Sequence, residues 1–544
     1  MSDFQNQVQP YKPPNYTSSK NLDEADTDFM NTNIEYLPLN QPMQSMTSHI
    51  IKETPINGGV FDKKSQSITF RLNPEHNSFL DGSQTKLNCT FQAKPVAKTG
   101  GTATACGIYA TGSINNVIKS ILIKCGGSVI EHVTDANRIS HCYTNLYASR
   151  GQISSSPTIT DLYQSGGFKG ANSIISINAP TGGKKMSLYT DTLTTAGPTL
   201  TCREYHLSVP INASGFLGPG ARKCVPIGWL KESIQVTLFL TDRVEEVYYC
   251  KTAGAGTTAN QGVVLDNSSD YRLSNVSLQC KIIKFSEAAF AAIRNAHPDN
   301  IYEWDGDAYV SNLNQVNPGD AVSRVYLPDT NYKNVKSIIN NTWYSVSDTS
   351  TITMSCVQPG LYSYNCRING TNAGNSRNQG NNNLLALKNS SSQFAMNLLS
   401  IMRDSTAVLE ADTQISFNFN QSGVGSNSNG TQPYSPYSPD IQTTALPLEN
   451  GPSVIPTCNS SQISQVSNAG SAGCCFYTGC SLLRSQDTSR IPKGRDLRNT
   501  QVVMVLDRWN TITGSQDQVY QSILHCGVVW SIDMKKGVFN ERDI

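Results

Sequence analysis

Apolar and polar positions alternate with a period of two along most of the chain, the pattern of strands that pack one face and leave the other free. SITFRLN sets Ile68, Phe70 and Leu72 against Thr69 and Arg71. KLNCTFQA places Leu87, Cys89, Phe91 and Ala93 on one side; EYHLSVPI does so with Tyr205, Leu207, Val209 and Ile211, and SIQVTLFLT with Ile234, Val236, Leu238 and Leu240. YRLSNVSLQCKIIKF alternates at Tyr271 and Leu273, then slips by one to Val276, Leu278, Cys280 and Ile282. That slip predicts a bulge or break near Ser274–Asn275. VIKSILIK (Val117–Lys124) is nearly continuous and predicts a strand buried on both faces. The same style returns in NVKSIINN, TITMSCV (Ile352, Met354, Cys356), LYSYNCRI (Tyr362, Tyr364, Cys366, Ile368) and QISFNFNQ (Ile415, Phe417, Phe419). QVVMVLDRW and SILHCGVVWSIDM close the chain.

Helical spacing is rare. DANRISHCYTNLY carries Ile139, Cys142, Tyr143 and Leu146 at helical intervals, with Asp135 as the expected N-cap. SSQFAMNLLSIMRD spaces Phe394, Leu398, Ile401 and Met402 in the same way. FSEAAFAAIRNAHPD is the clearest: Ser286 caps it, Phe285 and Phe290 occupy the two hydrophobic-staple positions, and Pro298 stops it. This helix lies near mid-chain and divides the β-rich sequence. The expected organisation is an extended N-terminal arm over 1–60, a first β unit over 61–285, a linker helix and connection over 286–305, and a second β unit over 306–544.

The arm is set apart by Pro10, Pro13, Pro14, Pro38 and Pro42 and by its lack of sustained periodicity. Residues 150–200 and 420–470 read as long loops rich in Ser, Thr, Gly, Asn and Pro. Structureless loops beyond ~12–15 residues are uncommon in compact domains. Their recurrence here favours a protein whose loops form outer surfaces or clamp neighbouring copies.

Composition narrows the function. The 544 residues carry 42 Lys plus Arg against 41 Asp plus Glu, a net charge of +1, so no general attraction to nucleic acid or anionic lipid is expected. Only 15% of residues are charged. Asn, Ser, Thr and Gln supply much of the polarity, and such a surface is desolvated against neighbours more readily than a charged one. No run approaches the ~20 apolar residues that span a bilayer, and MSDFQNQVQPYKPPNYTSSK has no apolar signal-peptide core, so export is not expected. The 15 cysteines then read mostly as buried thiols of a reducing compartment, Cys89, Cys280 and Cys366 among them. Sequons at Asn212, Asn275, Asn340 and Asn369 carry little weight in so Asn-, Ser- and Thr-rich a chain.

Candidate chemistry is thin. Cys474, Cys475 and Cys480 in CCFYTGC lack paired C-x-x-C spacing and a nearby His, so a thiol cluster is expected rather than zinc. Cys480 or Cys526 with His525 suggests a thiol nucleophile. Adjacent residues of a strand point to opposite faces, so His525 and Cys526 cannot cooperate, and His525 is expected to face solvent or a neighbour. The carboxylates Glu245–Glu246 and Asp305-Gly306-Asp307 are expected at strand ends or turns, with no cleft to make them an acid–base pair. DGDAYVSNLNQVNPGD lacks the ligand spacing of a calcium loop. KGRDLR (Lys493–Arg498) is a small basic run expected on a solvated loop. No phosphate-binding loop, dinucleotide fingerprint or nucleophile elbow occurs. No catalytic residue, cofactor or metal site is therefore assigned from the sequence.

One long stretch suggests a family. REYHLSVPINASGFLGPGARKCVPIGWLKESIQVTLFL runs strand, Ser-Gly-x-Leu-Gly turn (Ser214, Gly215, Leu217, Gly218), Val225–Ile227, strand. With INNVIKSILIKCGGSVIEHV, which turns at Gly126 and Gly127, and YRLSNVSLQCKIIKFSEAAFAAI, it resembles the double jelly-roll major capsid proteins of tailless icosahedral double-stranded DNA viruses, at the virophage and polinton-like end of the adenovirus lineage. NVKSIINNTWYS and QVYQSILHCGVVWSIDMKKGVF are looser matches, and the resemblance spans about 60–544. It implies an all-β fold of two tandem eight-stranded jelly-roll sandwiches with a few short helices and long loops. It also implies a structural, non-enzymatic subunit of the virion shell, forming homotrimeric, pseudo-hexameric capsomers. Expected partners are neighbouring capsomers, penton and minor or cement proteins, and an internal membrane, with no specific nucleic-acid binding. Two other readings remain open on the residues alone. One is a β-sandwich carbohydrate-binding or fibre module, with Tyr434 and Tyr437 stacking on sugars; the other is a β-sandwich hydrolase.

Overall fold

The computed structural model describes residues 46–96, 105–110, 113–147, 187–192, 202, 204–221, 223–252, 268–317, 320, 322–328, 330–344, 361–372, 378–379, 477–482, 494–508 and 518–540. They form antiparallel sheets with two α-helices. In the first sheet, β1 (Met46–Glu53) pairs with β12 (Asp270–Phe285), followed by β4 (Ser78–Lys94) and β9 (Glu204–Pro210), while the short β2 (Val60–Phe61) also joins β12. The second sheet runs β3 (Ser67–Leu72), β10 (Ile234–Leu240), β6 (Ile118–Cys125), β7 (Ser128–Val133). A smaller third sheet runs β11 (Tyr248–Thr252), β5 (Ala105–Ala110), β8 (Ser187–Thr192).

The later strands build two more sheets. One runs β13 (Ile301–Val316), β21 (Gln518–Asp533), β15 (Val335–Tyr344), β19 (Tyr477–Ser481), with β22 (Val538–Phe539) also on β21. The other runs β14 (Val322–Tyr326), β20 (Val502–Arg508), β16 (Leu361–Ile368), β17 (Thr371–Asn372), with β18 (Asn378–Gln379) also on β16. Setting aside the third sheet and the short side strands, the described residues of each half contribute eight strands. Ranked in chain order, both halves give sheets of order 1-8-3-6 and 2-7-4-5. This is the order of a jelly roll, in which first and last strands lie side by side.

Cross-strand packing explains why the alternation folds as it does. Across the second sheet, Ile68 and Ile121 flank Leu238, and Phe70 and Ile123 flank Val236, all buried. Leu87, Cys89, Phe91, Leu207, Val209, Leu278, Cys280 and Ile282 of the first sheet belong to the same core. The slip in β12 is present: its register against β4 shifts between Ser274 and Ser277, and Asn275 takes φ of 51°. Asn tolerates that left-handed conformation better than most residues do.

The helix at mid-chain, α2 (Glu287–Asn295), starts where its cap predicts, with Ser286 Oγ accepting from the Ala289 N–H at 3.3 Å. Its staple residues Phe285 and Phe290 both meet the ring of Phe79, at 5.2 and 5.7 Å between centroids. Phe290, Phe79, Trp229 and Met534 form a second apolar cluster between the two strand sets.

Several expectations are corrected. Residues 46–53 fall in the expected arm, yet they pair along β12 from Met46↔Phe285 to Glu53↔Leu278. Most side chains of this edge strand are exposed, with Ile51 packed on the core, so it needs no strong alternation. β8 lies inside 150–200, read as loop, because its pairing partner β5 is distant in sequence. VIKSILIK is not buried on both faces. Ile118, Ile121, Ile123 and Cys125 are buried, whereas Lys119 is exposed and Ser120, Leu122 and Lys124 are half-buried. Asp135 precedes α1 (Ala136–Tyr147) with φ of 51°, so its backbone is not in the extended cap conformation, and its carboxylate accepts from Ser311 Oγ at 2.9 Å instead. The strands TITMSCV and QISFNFNQ, the helix SSQFAMNLLSIMRD, the 420–470 loop with Tyr434 and Tyr437, and residues 1–45 of the arm lie outside the described residues.

Leu238→Asp is expected to abolish soluble folded protein. It places an unpaired charge among Ile68, Ile121 and their neighbours at a cost of about 3–5 kcal/mol, a large share of the ~5–15 kcal/mol that holds a domain together. Soluble yield and a circular-dichroism melt read this out; a variant melting like wild type would show that this face of β10 is not core.

Candidate functional site

A group of buried polar residues lies where the first strand set meets the second. The Ser214–Gly218 turn anchors this seam. Glu131 on β7 is fully buried and accepts three hydrogen bonds from it: Ser214 Oγ at 2.5 Å, the Gly215 N–H at 2.8 Å and the Phe216 N–H at 3.4 Å. Ser214 Oγ in turn accepts from the Leu217 N–H at 2.9 Å. The carboxylate thus does inside the protein what water would do for these donors outside. The turn is pressed on β13: a Cβ on Gly215 would lie 1.6 Å from the Asp307 carbonyl oxygen, so only glycine allows the approach. Phe216 meets the edge of Trp530 on β21, with ring centroids 5.5 Å apart.

Asp307 continues the seam into the second set. Its Oδ1 lies 2.6 Å from Lys336 Nζ on β15 and 2.9 Å from His525 Nε2 on β21. The side chains are 0%, 2% and 0% exposed for Asp307, Lys336 and His525. The expected positions are thus overturned. Asp305–Asp307 sit within β13 rather than at a turn, because the strand runs from Ile301 to Val316. His525 faces neither solvent nor a neighbour, because Asp307 and Tyr309 cover it; its ring stacks on Tyr309 at 5.3 Å and 24°. Tyr309 also meets Tyr143 of α1 at 4.8 Å.

A second part of the seam is open. Lys119, Asp135, Asn137, Arg138, Arg243 and Glu246 of the first set, with Leu313–Gln315 and Val519 of the second, line a cavity of about 310 Å³. Glu246 lies at its buried end, at the close of a short 3-10 turn (Val244–Glu246), as the sequence predicts for that pair. It accepts from Thr241 Oγ1 at 2.6 Å and Asn137 Nδ2 at 2.8 Å, with Arg138 at 3.9 Å. Burial raises its carboxyl pKa, against the pull of Arg138 and the Thr241 hydrogen bond. Arg138 stacks over Trp343, 5.4 Å from the ring centroid, and Trp343 Nε1 donates to Gln521 Oε1 at 2.8 Å. Gln521 Nε2 donates to Ser311 Oγ, which donates to Asp135, closing a circuit through both strand sets.

Among the described residues the thiols do not add a reactive centre. Burial pushes Cys125 up to about 11 and Cys224 and Cys280 up to about 12, so they stay protonated and weakly nucleophilic. Cys480 is buried on β19; a hydrogen bond with Cys366 raises its pKa, and burial adds to this. Cys474, Cys475 and Lys493 lie outside the described residues. Among the described residues no group of three or more His, Cys, Asp or Glu could hold a metal ion. The basic run is tied down in part: the Arg495 backbone bridges Val335, Leu497 is buried, and Arg498 pairs with Asp496 at 2.6 Å. Chemically, the seam can fix the two strand sets against each other. Among the described residues it presents no nucleophile next to a base at an open surface.

No protein-family model and no curated protein sequence matches the chain. Solved structures match it in fold. The Faustovirus major capsid protein aligns over 92% of this chain and 92% of its own, at 9% identity and a TM-score of 0.51. A chain in the cryo-EM structure of the Sputnik virophage aligns over 93% of this chain and 91% of its own, at 12% identity and a TM-score of 0.52. The mavirus major capsid protein aligns over 100% of this chain and 97% of its own, at 8% identity and a TM-score of 0.45. The chain therefore has the fold of the Faustovirus major capsid protein.

Gly215→Ala is expected to lower the melting temperature, since the turn must lift off β13; overpacking of this kind costs about 1–3 kcal/mol. Gly220→Ala is the control: its Cβ would meet nothing nearer than 3.6 Å, and its melting temperature should be unchanged or slightly higher. Equal melting temperatures for the two variants would show that the turn is not tightly seated.

The seam also predicts a pH dependence. His141 on α1 is buried with its ring 6.1 Å from Trp343, and burial pulls its pKa from 6.5 to about 4. The unfolded chain therefore takes up a proton there before the folded chain does. The contribution is complete above pH 6.5 and is lost as the pH falls towards about 4. Glu246, with its raised pKa, acts in the opposite sense. The comparison that isolates His141 is His141→Phe, whose melting temperature should fall less steeply with acidification than that of wild type. Parallel curves would remove His141 as the titrating group.

Proposed function

We propose that this chain is the major capsid protein of a tailless icosahedral DNA virus, a structural subunit of the virion shell without enzymatic activity. The observation that carries the reading is the strand order 1-8-3-6 and 2-7-4-5 occurring twice in one chain. The fold shared with the Faustovirus major capsid protein along 92% of both chains supports it. In this reading β1–β12 and β13–β22 are two jelly-roll domains, and 286–300, with α2, is their joint. Two similar lobes held rigidly side by side give a subunit with pseudo-twofold character. Three such subunits around a threefold axis present six lobes, a tile that fits a hexagonal lattice.

The seam serves this function directly. A tile is only as regular as the angle between its lobes. Glu131, Asp307 and the Phe79 cluster fix that angle with contacts that water cannot reach. Low charge suits a surface that must be desolvated against copies of itself. Neighbouring capsomers are the primary partners; penton and minor or cement proteins, and an internal membrane, complete the set. The net charge of +1 argues against a role in condensing the genome.

Size-exclusion chromatography with light scattering, followed by negative-stain imaging, tests this. The expected result is a particle of three chain masses with a hexagonal outline that associates into sheets or shells. A stable monomer at high concentration would overturn it.

A further inference from the structure

Lys336, Asp307 and His525 form a cluster that packing alone does not call for. A buried ion pair adds little net stability, because desolvation offsets most of the Coulombic gain, and apolar side chains of similar volume would fill the space as well. Three observations give the cluster another meaning. The Lys336 Nζ stands 2.6 Å from Asp307 Oδ1, in contact with the carboxyl group, and both side chains are sealed from water. Lys336 sits at an irregularity in the ladder: β15 pairs Val335 with Cys526 and Ser337 with His525, so the register skips Lys336. Such a bulge re-aims a side chain, and here Val335, Lys336 and Ser337 are all buried. His525 Nε2 lies 2.9 Å from the same Asp307 oxygen, with its ring stacked on Tyr309. An amine, a carboxyl group and a proton carrier are thus in contact in a dry place.

We propose that Lys336 and Asp307 condense into an intramolecular isopeptide bond. The step balances without an oxidant or a further reactant. The Lys336 ammonium gives a proton to the Asp307 carboxylate, and the neutral amine adds to Cγ through its lone pair. A second proton then passes from nitrogen to the departing hydroxyl, relayed by His525 Nε2, which touches that oxygen. The Cγ–O bond breaks, one water leaves, and an amide remains between Nζ and Cγ. The ammonium's three protons end as one on the amide and two in the water. His525 is unchanged. Held contact of amine and carboxyl replaces a bimolecular encounter. Forming a neutral amide also removes two charges from an interior where each is costly to keep. The product ties β13 to β15 across the central strand β21, so those two strands part only if a covalent bond breaks.

Mass spectrometry of the denatured wild-type protein decides it. The expected result is an intact mass lower than that of the sequence by one water, and after proteolysis a single branched peptide joining the Asp307 and Lys336 segments. Asp307→Asn should form the same bond by losing ammonia and so reach the same final mass as wild type. Lys336→Arg should run at its full sequence mass with no branched peptide. His525→Phe should accumulate uncoupled chain, as expected of a proton relay. The wild-type measurement stands even where a variant fails to fold. An unmodified wild-type mass, or a water loss mapped to other residues, overturns the proposal.

Discussion

A carboxylate without water must find its donors in the protein, and Glu131 finds three of them on one turn. The Ser214 hydroxyl and the Gly215 and Phe216 N–H groups converge on it, and the turn so shaped lies flat on the backbone of Asp307. Loss of this anchor would leave several buried donors unsatisfied, each at roughly 1–3 kcal/mol. It would also free the turn from the backbone of Asp307. The position of one strand set on the other thus rests on this contact.

Around that anchor the seam mixes two kinds of packing. On one side lie aromatic faces and edges: Phe79 with Trp229, Phe285, Phe290 and Tyr302, and Phe216 with Trp530 and Phe539. On the other lies the polar circuit through Arg138, Trp343, Gln521, Ser311 and Asp135. Apolar contact supplies adhesion but is tolerant of sliding. Directed hydrogen bonds and the 2.6 Å Lys336–Asp307 contact are not, so they set the orientation.

Strands such as β3, β4, β9, β10 and β16 were legible in the sequence because each shows its own alternation, and β12 even displayed its bulge as a slip in phase, whereas the long β13 was not read as a strand. The α2 cap and staple were legible for the same reason, being local. The seam was not. A charged residue such as Asp307 or a histidine such as His525 reads as solvent-facing when only its own strand is considered. What buries them comes from β15 and β21 and from a turn some ninety residues earlier in the chain. Glu131 did carry a signal: it falls two residues before the buried Val133, so alternation places a charge on the packed face of β7. The edge strand β1 left little trace, since most of its side chains are exposed. The shared fold, at 9–12% identity, shows the same division: a pattern of alternation and chain reversals survives where particular side chains do not.

The pairing of first with last strand in each set has a consequence for synthesis. β1 waits for β12, more than two hundred residues downstream, and β13 waits for β21 near the end of the chain. Closing so long a loop is slow. Neither central sheet can be completed while its last strand is still within the ribosome, so unpaired ladder edges stand open throughout translation of each half. Unpaired edges of this kind are aggregation-prone, so two partly made chains can pair through them until the closing strand arrives.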